Sequence, residues 1–280
     1  MAADSEYRFA LVTNQNYSGY LWIATILCLS YSSLVIVVRL HIKWKLYGLD
    51  DVTATAATLL QLAGGIPLFL ALRGGLGQDE RLISTAAIEK AGQNTFIAQV
   101  LIIASLATAK SSVAALMLRL FTRDLEITRK PWLLCNGTLA LILVWAVGSI
   151  LATSIGCPPT HFLQDPGLGY CNYPLTRWRI IVSFDILIEL LLIALPIFFI
   201  WGIQMKPYIK IQVALAFGLR LPVAGFAGAH LHYLSICYAS RSNTSKEIIP
   251  ALAWLQVELF WALLAATIPT LKAFMKSFNS

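Results

Sequence analysis

The sequence predicts an all-α, polytopic membrane protein: a seven-transmembrane helix bundle with its N-terminus outside and its C-terminus in the cytosol. Three observations predict it. Of 280 residues, 58% are hydrophobic and 12% charged, with a mean hydropathy of +0.71; soluble domains carry about 25% charged residues. Seven stretches reach the roughly 20 mainly apolar residues that cross a bilayer. The basic residues are also unevenly shared between alternate loops.

Residues 1–18 are polar, with no apolar core after a basic start, and so read as an outer segment rather than a secretory signal peptide. The first span, near 19–39, then serves as its own signal anchor and ends at Arg39. The second, near 52–72, contains Gly64-Gly65 and Pro67; the third, near 95–119, contains Lys110. The fourth covers about 132–155, and the fifth, about 180–203, carries Asp185, Glu189 and Pro196. The sixth, about 212–237, carries Arg220, Pro222, His230 and His232; the seventh, about 250–271, carries Glu258 and Pro269. Kinks from such prolines are tolerated where neighbouring helices or water take up the freed carbonyls. Residues 19–271 form one bundle, and 272–280 read as a short cytosolic tail.

One set of loops carries eleven basic residues, including Arg39, Lys43, Arg119, Lys206 and Lys272, against eight on the other side. This bias places the N-terminus outside. The net charge of +7 is therefore read as membrane topology, not as nucleic-acid binding. The sequons Asn16-Tyr17-Ser18 and Asn243-Thr244-Ser245 fall on the outer side, where glycosylation occurs. So do Cys157 and Cys171, within one loop of an oxidising compartment. A disulfide between them is one reading and two free thiols the other; Cys28, Cys135 and Cys237 lie inside apolar stretches.

Ionisable side chains in hydrocarbon cost about 2.5–3.5 kcal/mol each on an insertion scale, so they are the most informative residues. Asp185 and Glu189 are four apart and share one helical face. At ~1.5 Å per residue, Asp185, His230, His232 and Glu258 fall about 8–13 Å below the outer surface, with Glu189 somewhat deeper. By the same arithmetic Lys110 and Arg220 fall in the inner half, about 14 Å from the cytosolic surface. The expected interior is thus acidic outside and basic inside. On the functional reading, Asp185, Glu189 and Glu258 are candidate catalytic acids and bases facing a polar cavity open to the outside. Two close carboxyls cannot easily both ionise, so one keeps a proton to donate. Lys110, Arg220 and His230 are candidate ligand-binding groups. The structural alternative is a set of interhelical hydrogen bonds and ion pairs, and for His230 and His232, which point to different faces, it is preferred. No metal and no cofactor is expected. Histidine and glutamate lack metal-ligand spacing, P-loop, HExxH and GxSxG signatures are missing, and the seventh span has no lysine before Lys272 to carry a retinal Schiff base.

Several segments in order carry a family resemblance. They are Gly48-Leu49-Asp50-Asp51; Gly75-Leu76-Gly77; Lys110-Ser111 with Leu118-Arg119-Leu120-Phe121; and Cys157-Pro158 with Cys171 and Trp178. Asp185, Pro196 and Trp201-Gly202-Ile203-Gln204-Met205-Lys206 follow, then Trp254, Glu258 and Pro269. Together they resemble the fungal rhodopsin-domain integral membrane family, which includes pathogenicity-receptor-like proteins and the satratoxin-cluster type. The chain departs from the family pattern at Val52, Asp79 and His230, where tryptophan, histidine and arginine are usual.

The resemblance implies one of two roles. The preferred one is a membrane component of a fungal secondary-metabolite pathway. It would be a cyclase or isomerase working on a lipophilic terpenoid or polyketide, or a non-catalytic accessory. The alternative is a chemosensory receptor, the one reading in which a G protein is a partner. Short inner loops and the few residues after the seventh span, with Ser277 and Ser280, leave little surface for that partner. A transporter ranks third, because neither inverted repeats nor paired broken helices are evident. The expected partners are the bilayer and a lipophilic small molecule, in the endoplasmic reticulum or plasma membrane.

Overall fold

The computed structural model describes residues 16–43, 48–79, 83–121, 129–155, 157–163, 174–201, 207–240 and 243–278. These form eight α-helices and one 3-10 turn, and no strand occurs among the described residues. The helices are α1 (Ser18–Ile42), α2 (Leu49–Arg73), α3 (Thr85–Phe121), α4 (Arg129–Ser154), α5 (Pro174–Trp201), α6 (Pro207–Gly218), α7 (Leu221–Ser240) and α8 (Thr244–Phe278). Seven stretches are long and apolar enough to cross a membrane, with α6 and α7 together making the sixth, Lys210–Ala239.

The sixth span is broken where the sequence suggested a kink. Pro222 has no N–H to offer the carbonyl four residues before it. The chain instead turns at Leu219 and Arg220, with Arg220 N donating to Phe217 O (3.1 Å) and Val223 N to Arg220 O (2.9 Å). The Leu219 carbonyl freed by the turn accepts the Trp261 indole N–H at 2.9 Å.

Three helices start earlier than hydropathy suggests. α3 begins at Thr85 rather than near 95, α5 at Pro174 rather than near 180, and α8 at Thr244 rather than near 250. Their first turns are polar and so escape an apolar window, yet each has a reason to be helical. The Ser84 carbonyl accepts the Ala87 and Ile88 N–H groups, and the Asn243 carbonyl those of Lys246 and Glu247. Pro174 stands at the first helical position, which needs no donor. α8 also runs on to Phe278, through most of the segment read as a tail.

α3 and α8 form the centre. α3 packs against α2, α4, α5 and α8, and α8 packs against α1, α7 and α3. Buried small residues on α3 (Ala98, Ala107, Ala109, Ala114) let its neighbours approach closely. Leu34 and Val37 on α1, Leu143 and Val144 on α4 and Leu187 and Phe198 on α5 are exposed, as a lipid-facing surface requires.

The two ends of the bundle are held differently. At the end that carries Asn16, α2 closes in a Schellman motif: Leu76 N donates to Ala71 O (3.0 Å) and Gly75 N to Leu72 O (3.3 Å), with Gly75 at φ 106°. Gly77, at φ 92°, then accepts from Tyr17 N (2.9 Å) and donates to Ser245 O (3.1 Å). One turn thereby stitches the starts of α1 and α8, and a methyl group on Gly77 would lie 2.9 Å from Ser18 N. Gly77→Ala should therefore destabilise the bundle by about 1–3 kcal/mol, read as a lower unfolding midpoint of the detergent-purified protein, whereas Gly137→Ala, which meets open space, should leave it unchanged.

Candidate functional site

At the opposite end, the four helices α1, α2, α3 and α8 meet around two carboxylates. Arg39 Nε donates to Asp51 Oδ1 (2.8 Å), and Arg39 Nη2 to Asp50 Oδ2 (3.1 Å). Lys43 Nζ donates to Asp50 Oδ2 (2.7 Å) and Asp51 Oδ1 (2.8 Å). Arg119 reaches Asp50 Oδ1 from α3 at 3.2 Å, and Arg39 Nη1 donates to Ala266 O on α8 at 3.3 Å. Asp51 also accepts the Gly48 N–H (3.1 Å), so it caps α2 while it holds the cations. A Cβ at Gly48 would stand 2.6 Å from both Arg119 Nη1 and Asp50 Oδ1, so a side chain there would displace these charged ends. The Gly48-Leu49-Asp50-Asp51 motif is therefore a structural clasp. Its cations were read from the sequence as topology signals alone.

The second cluster lies in the middle of the bundle. Lys110 Nζ on α3 donates to Glu189 Oε1 (2.5 Å) and to Asp185 Oδ2 (3.2 Å), both on α5. Arg220, at the break in the sixth span, grips Glu189 with two hydrogen bonds, Nε to Oε2 at 2.9 Å and Nη2 to Oε1 at 2.7 Å. Lys110, Glu189 and Arg220 are fully buried. From α4, the Trp145 ring covers Lys110 at 5.6 Å, while its indole N–H donates to Ile181 O at 3.0 Å. Glu258 on α8 is also buried, at 2% exposed, within electrostatic range of Asp185, Lys110 and Glu189.

This arrangement overturns two expectations. The interior is not acidic towards one end and basic towards the other: Lys110 and Arg220 meet Asp185 and Glu189 directly. The error came from the helix starts. With α5 opening at Pro174, Asp185 and Glu189 lie about 16 and 22 Å into it. Lys110 lies about 16 Å before the Phe121 end of α3. All of these groups sit at mid-depth. Nor do the three carboxyls face an open cavity, since Asp185, Glu189 and Glu258 are at most 3% exposed.

An open apolar cavity of about 350 Å3 does lie between α1, α7 and α8 near the Asn16 end. Tyr17, Tyr20, Tyr233, Trp254 and Val257 line it, and none of the candidate acids or bases does. Trp254 stacks on Tyr233 (6.4 Å, 14°) and on Phe226 (5.8 Å, 27°), forming an aromatic wall along the seam of α7 and α8.

His230 and His232 point apart, as expected. His230 is 2% exposed and meets the Trp178 ring edge-on at 5.5 Å, whereas His232 is exposed. Asn16 and Asn243 adjoin the starts of α1 and α8, with Asn16 Oδ1 accepting from Ser18 N (2.9 Å) and Ser18 Oγ (2.6 Å). Cys28 and Cys135 are buried free thiols, and the buried Cys237 Sγ donates to Thr244 O at 3.8 Å. Cys171 lies outside the described residues. No three His, Cys, Asp or Glu side chains converge as a metal site among the described residues.

A model of the fungal rhodopsin domain matches residues 34–277. The chain belongs to the fungal rhodopsin-domain family. The matched range takes in the clasp, the mid-bundle ion cluster and Glu258. No curated protein and no solved structure matches the chain.

Removing one partner from a buried ion pair strands the other charge, at a cost of about 3–5 kcal/mol. Lys110→Met should thus lower the thermal unfolding midpoint sharply. Adding Asp185→Asn to it should recover part of the loss, so that the two changes together cost less than the sum of the single variants.

Proposed function

We propose that the chain is an integral membrane component of a fungal secondary-metabolite pathway, acting on a lipophilic terpenoid or polyketide intermediate drawn from the bilayer. The observation that carries the reading is a charge count in the core. Three carboxyls (Asp185, Glu189, Glu258) face two cations (Lys110, Arg220), and both cations are engaged by Asp185 and Glu189. Glu258 is the carboxyl left over, the one whose proton is free to be given and taken back. Ionisable groups retained in hydrocarbon beyond what pairing requires are by default functional. Of the three candidate acid–base residues, Glu258 becomes the principal one. Asp185 and Glu189 position the cluster, with Lys110 and Arg220 as their counter-ions. The aromatic cavity beside α8 supports a lipophilic ligand: Trp254, on its wall, lies one turn before Glu258 on the same helix.

The proposed orientation puts the Asn16 end outside. Asn16, Asn243 and Cys157 all gather there, while Arg39, Lys43 and Arg119 gather at the other end. Glycosylation at Asn16 and Asn243, and a bridge between Cys157 and Cys171, belong to the same proposal. The membrane is the endoplasmic reticulum or the plasma membrane.

A chemosensory receptor is the second reading. The break in the sixth span favours it, because a hinge next to an ion cluster can relay a ligand's presence to the clasp at the other end. A G protein is then the partner.

Deletion of the gene in its native host, with organic extracts compared by mass spectrometry, separates the readings. The pathway role expects a lost product and an accumulating precursor, restored by wild type. A catalytic Glu258 further expects that Glu258→Gln, expressed at wild-type level, does not restore the product. Restoration by that variant leaves a non-catalytic accessory, and an unchanged metabolite profile sinks the pathway role in favour of the receptor.

A further inference from the structure

Along the core of the bundle, polar side-chain atoms lie buried without hydrogen-bond partners. Among them are both amide atoms of Gln99 on α3, His230 Nε2 on α7 and Arg220 Nη1 at the break. All three residues are at most 2% exposed. A buried polar group is normally paired with protein or with ordered water, and hydrocarbon supplies neither.

By helix rise these atoms can be set in a line along the bundle axis. Gln99 and Lys110 are eleven residues apart, about 20° from eclipsed after three helical turns, so Gln99 stands on the α3 stripe that ends at Lys110, about 16 Å nearer the Asn16 end. His230 belongs to the buried stripe Val223, Ala227, His230, Leu234 of α7 and touches Trp178. Trp178 lies two turns before Asp185 on α5, about 10 Å nearer the same end. From the Asn16 end inward the order is Gln99 and His230, then Asp185 with Glu258, then Lys110, Glu189 and Arg220.

We propose that this line is a water-filled half-channel, and that its Asp185–Glu258 section is a proton-exchange site holding a single proton. The charged and titratable groups facing it are Lys110 from α3, Asp185 and Glu189 from α5, Arg220 and His230 from the sixth span, and Glu258 from α8. α4 contributes the Trp145 ring. Three carboxyls against the cations Lys110 and Arg220 leave one negative charge, which a single proton cancels. In the exchange step the O–H bond of the Glu258 carboxyl breaks as its proton passes to a water. That water passes a proton to the Asp185 carboxylate, and the net charge is unchanged. The channel ends at Arg220, whose fixed positive charge repels a proton travelling further, much as cationic side chains bar protons in water pores.

The proposal rests on the reading of Glu258 as the proton-exchanging group, but its test needs no substrate. The full-length protein, with glutamate carrying 13C at its side-chain carboxyl carbon, is placed in phosphatidylcholine nanodiscs and transferred to D2O while its carboxylic C=O stretch is followed by infrared spectroscopy. The 13C label assigns a glutamic-acid band in the wild type without a variant, and Glu258→Gln, with size exclusion as the check of folding, removes it. The expected result is a Glu258 band that shifts within seconds in D2O, and at least tenfold more slowly in His230→Phe or Gln99→Leu. A core without a protonated glutamate, a band that exchanges only over hours, or a rate that both apolar variants leave unaltered would overturn the proposal. Fast exchange in a protein whose Glu258→Gln variant still restores the metabolite keeps the channel and removes only the catalytic reading.

Discussion

Glu189 accepts from Lys110 on α3 and from Arg220 in the sixth span, and all three side chains are fully buried. Three charges that would each be expelled from hydrocarbon on their own become tolerable only as a set. The set has a fixed geometry, because a guanidinium that binds a carboxylate through two N–H groups leaves little angular freedom. Much of the surrounding structure follows. α5 must turn the Asp185 and Glu189 face toward α3 and away from lipid. The sixth span must bring Arg220 inward at mid-depth. The break beside it frees a backbone carbonyl, which α8 satisfies by supplying Trp261.

The clasp at the Arg39 end obeys the same rule in a different setting. Asp50 and Asp51 open α2, where the helix dipole already favours negative charge, and they attract cations from α1 and α3. Arg119 remains partly exposed, with 45% of its side chain open, so this cluster lies where chain meets headgroups or water. The two ion clusters thus divide the labour: one registers helix ends against each other, and the other fixes the rotation of helices about their own axes.

How far the sequence discloses all this depends on what each feature needs in order to be read. Seven spans are plain, because transfer from water to hydrocarbon is nearly additive over about twenty residues. Their starts are not, because a polar first turn such as Thr85 to Asn94 reads as loop until its packing against α2 and the 3-10 turn is known. The pairing of Lys110 with Asp185 and Glu189 was missed for the same reason, since depths counted from late starts placed the two groups in opposite halves. Azimuth was the other missing quantity. Spacing shows that Asp185 and Glu189 share a face, but not which helix that face meets. The break at Arg220 hides because Pro222 in a membrane helix more often bends the chain than interrupts it. By contrast, Gly75-Leu76-Gly77 stands out in the sequence as a motif of the resemblance, and the positive φ of both glycines explains why it tolerates no side chain.

The sequence separations within the core cluster bear on how the chain is made. Lys110 is 75 residues ahead of Asp185, and Glu189 is 31 ahead of Arg220. At a synthesis rate of about 5–20 residues per second, the third span emerges roughly 4–15 s before its counter-charge exists. During that interval a lone ammonium has to linger in the insertion machinery, keep its long stem turned toward an aqueous edge, or be shielded by a membrane chaperone. Spans five and six then complete the neutral set almost together. Biogenesis of the bundle is therefore weighted toward its second half, and nascent chains stopped before the fifth span should be the ones that quality control recognises.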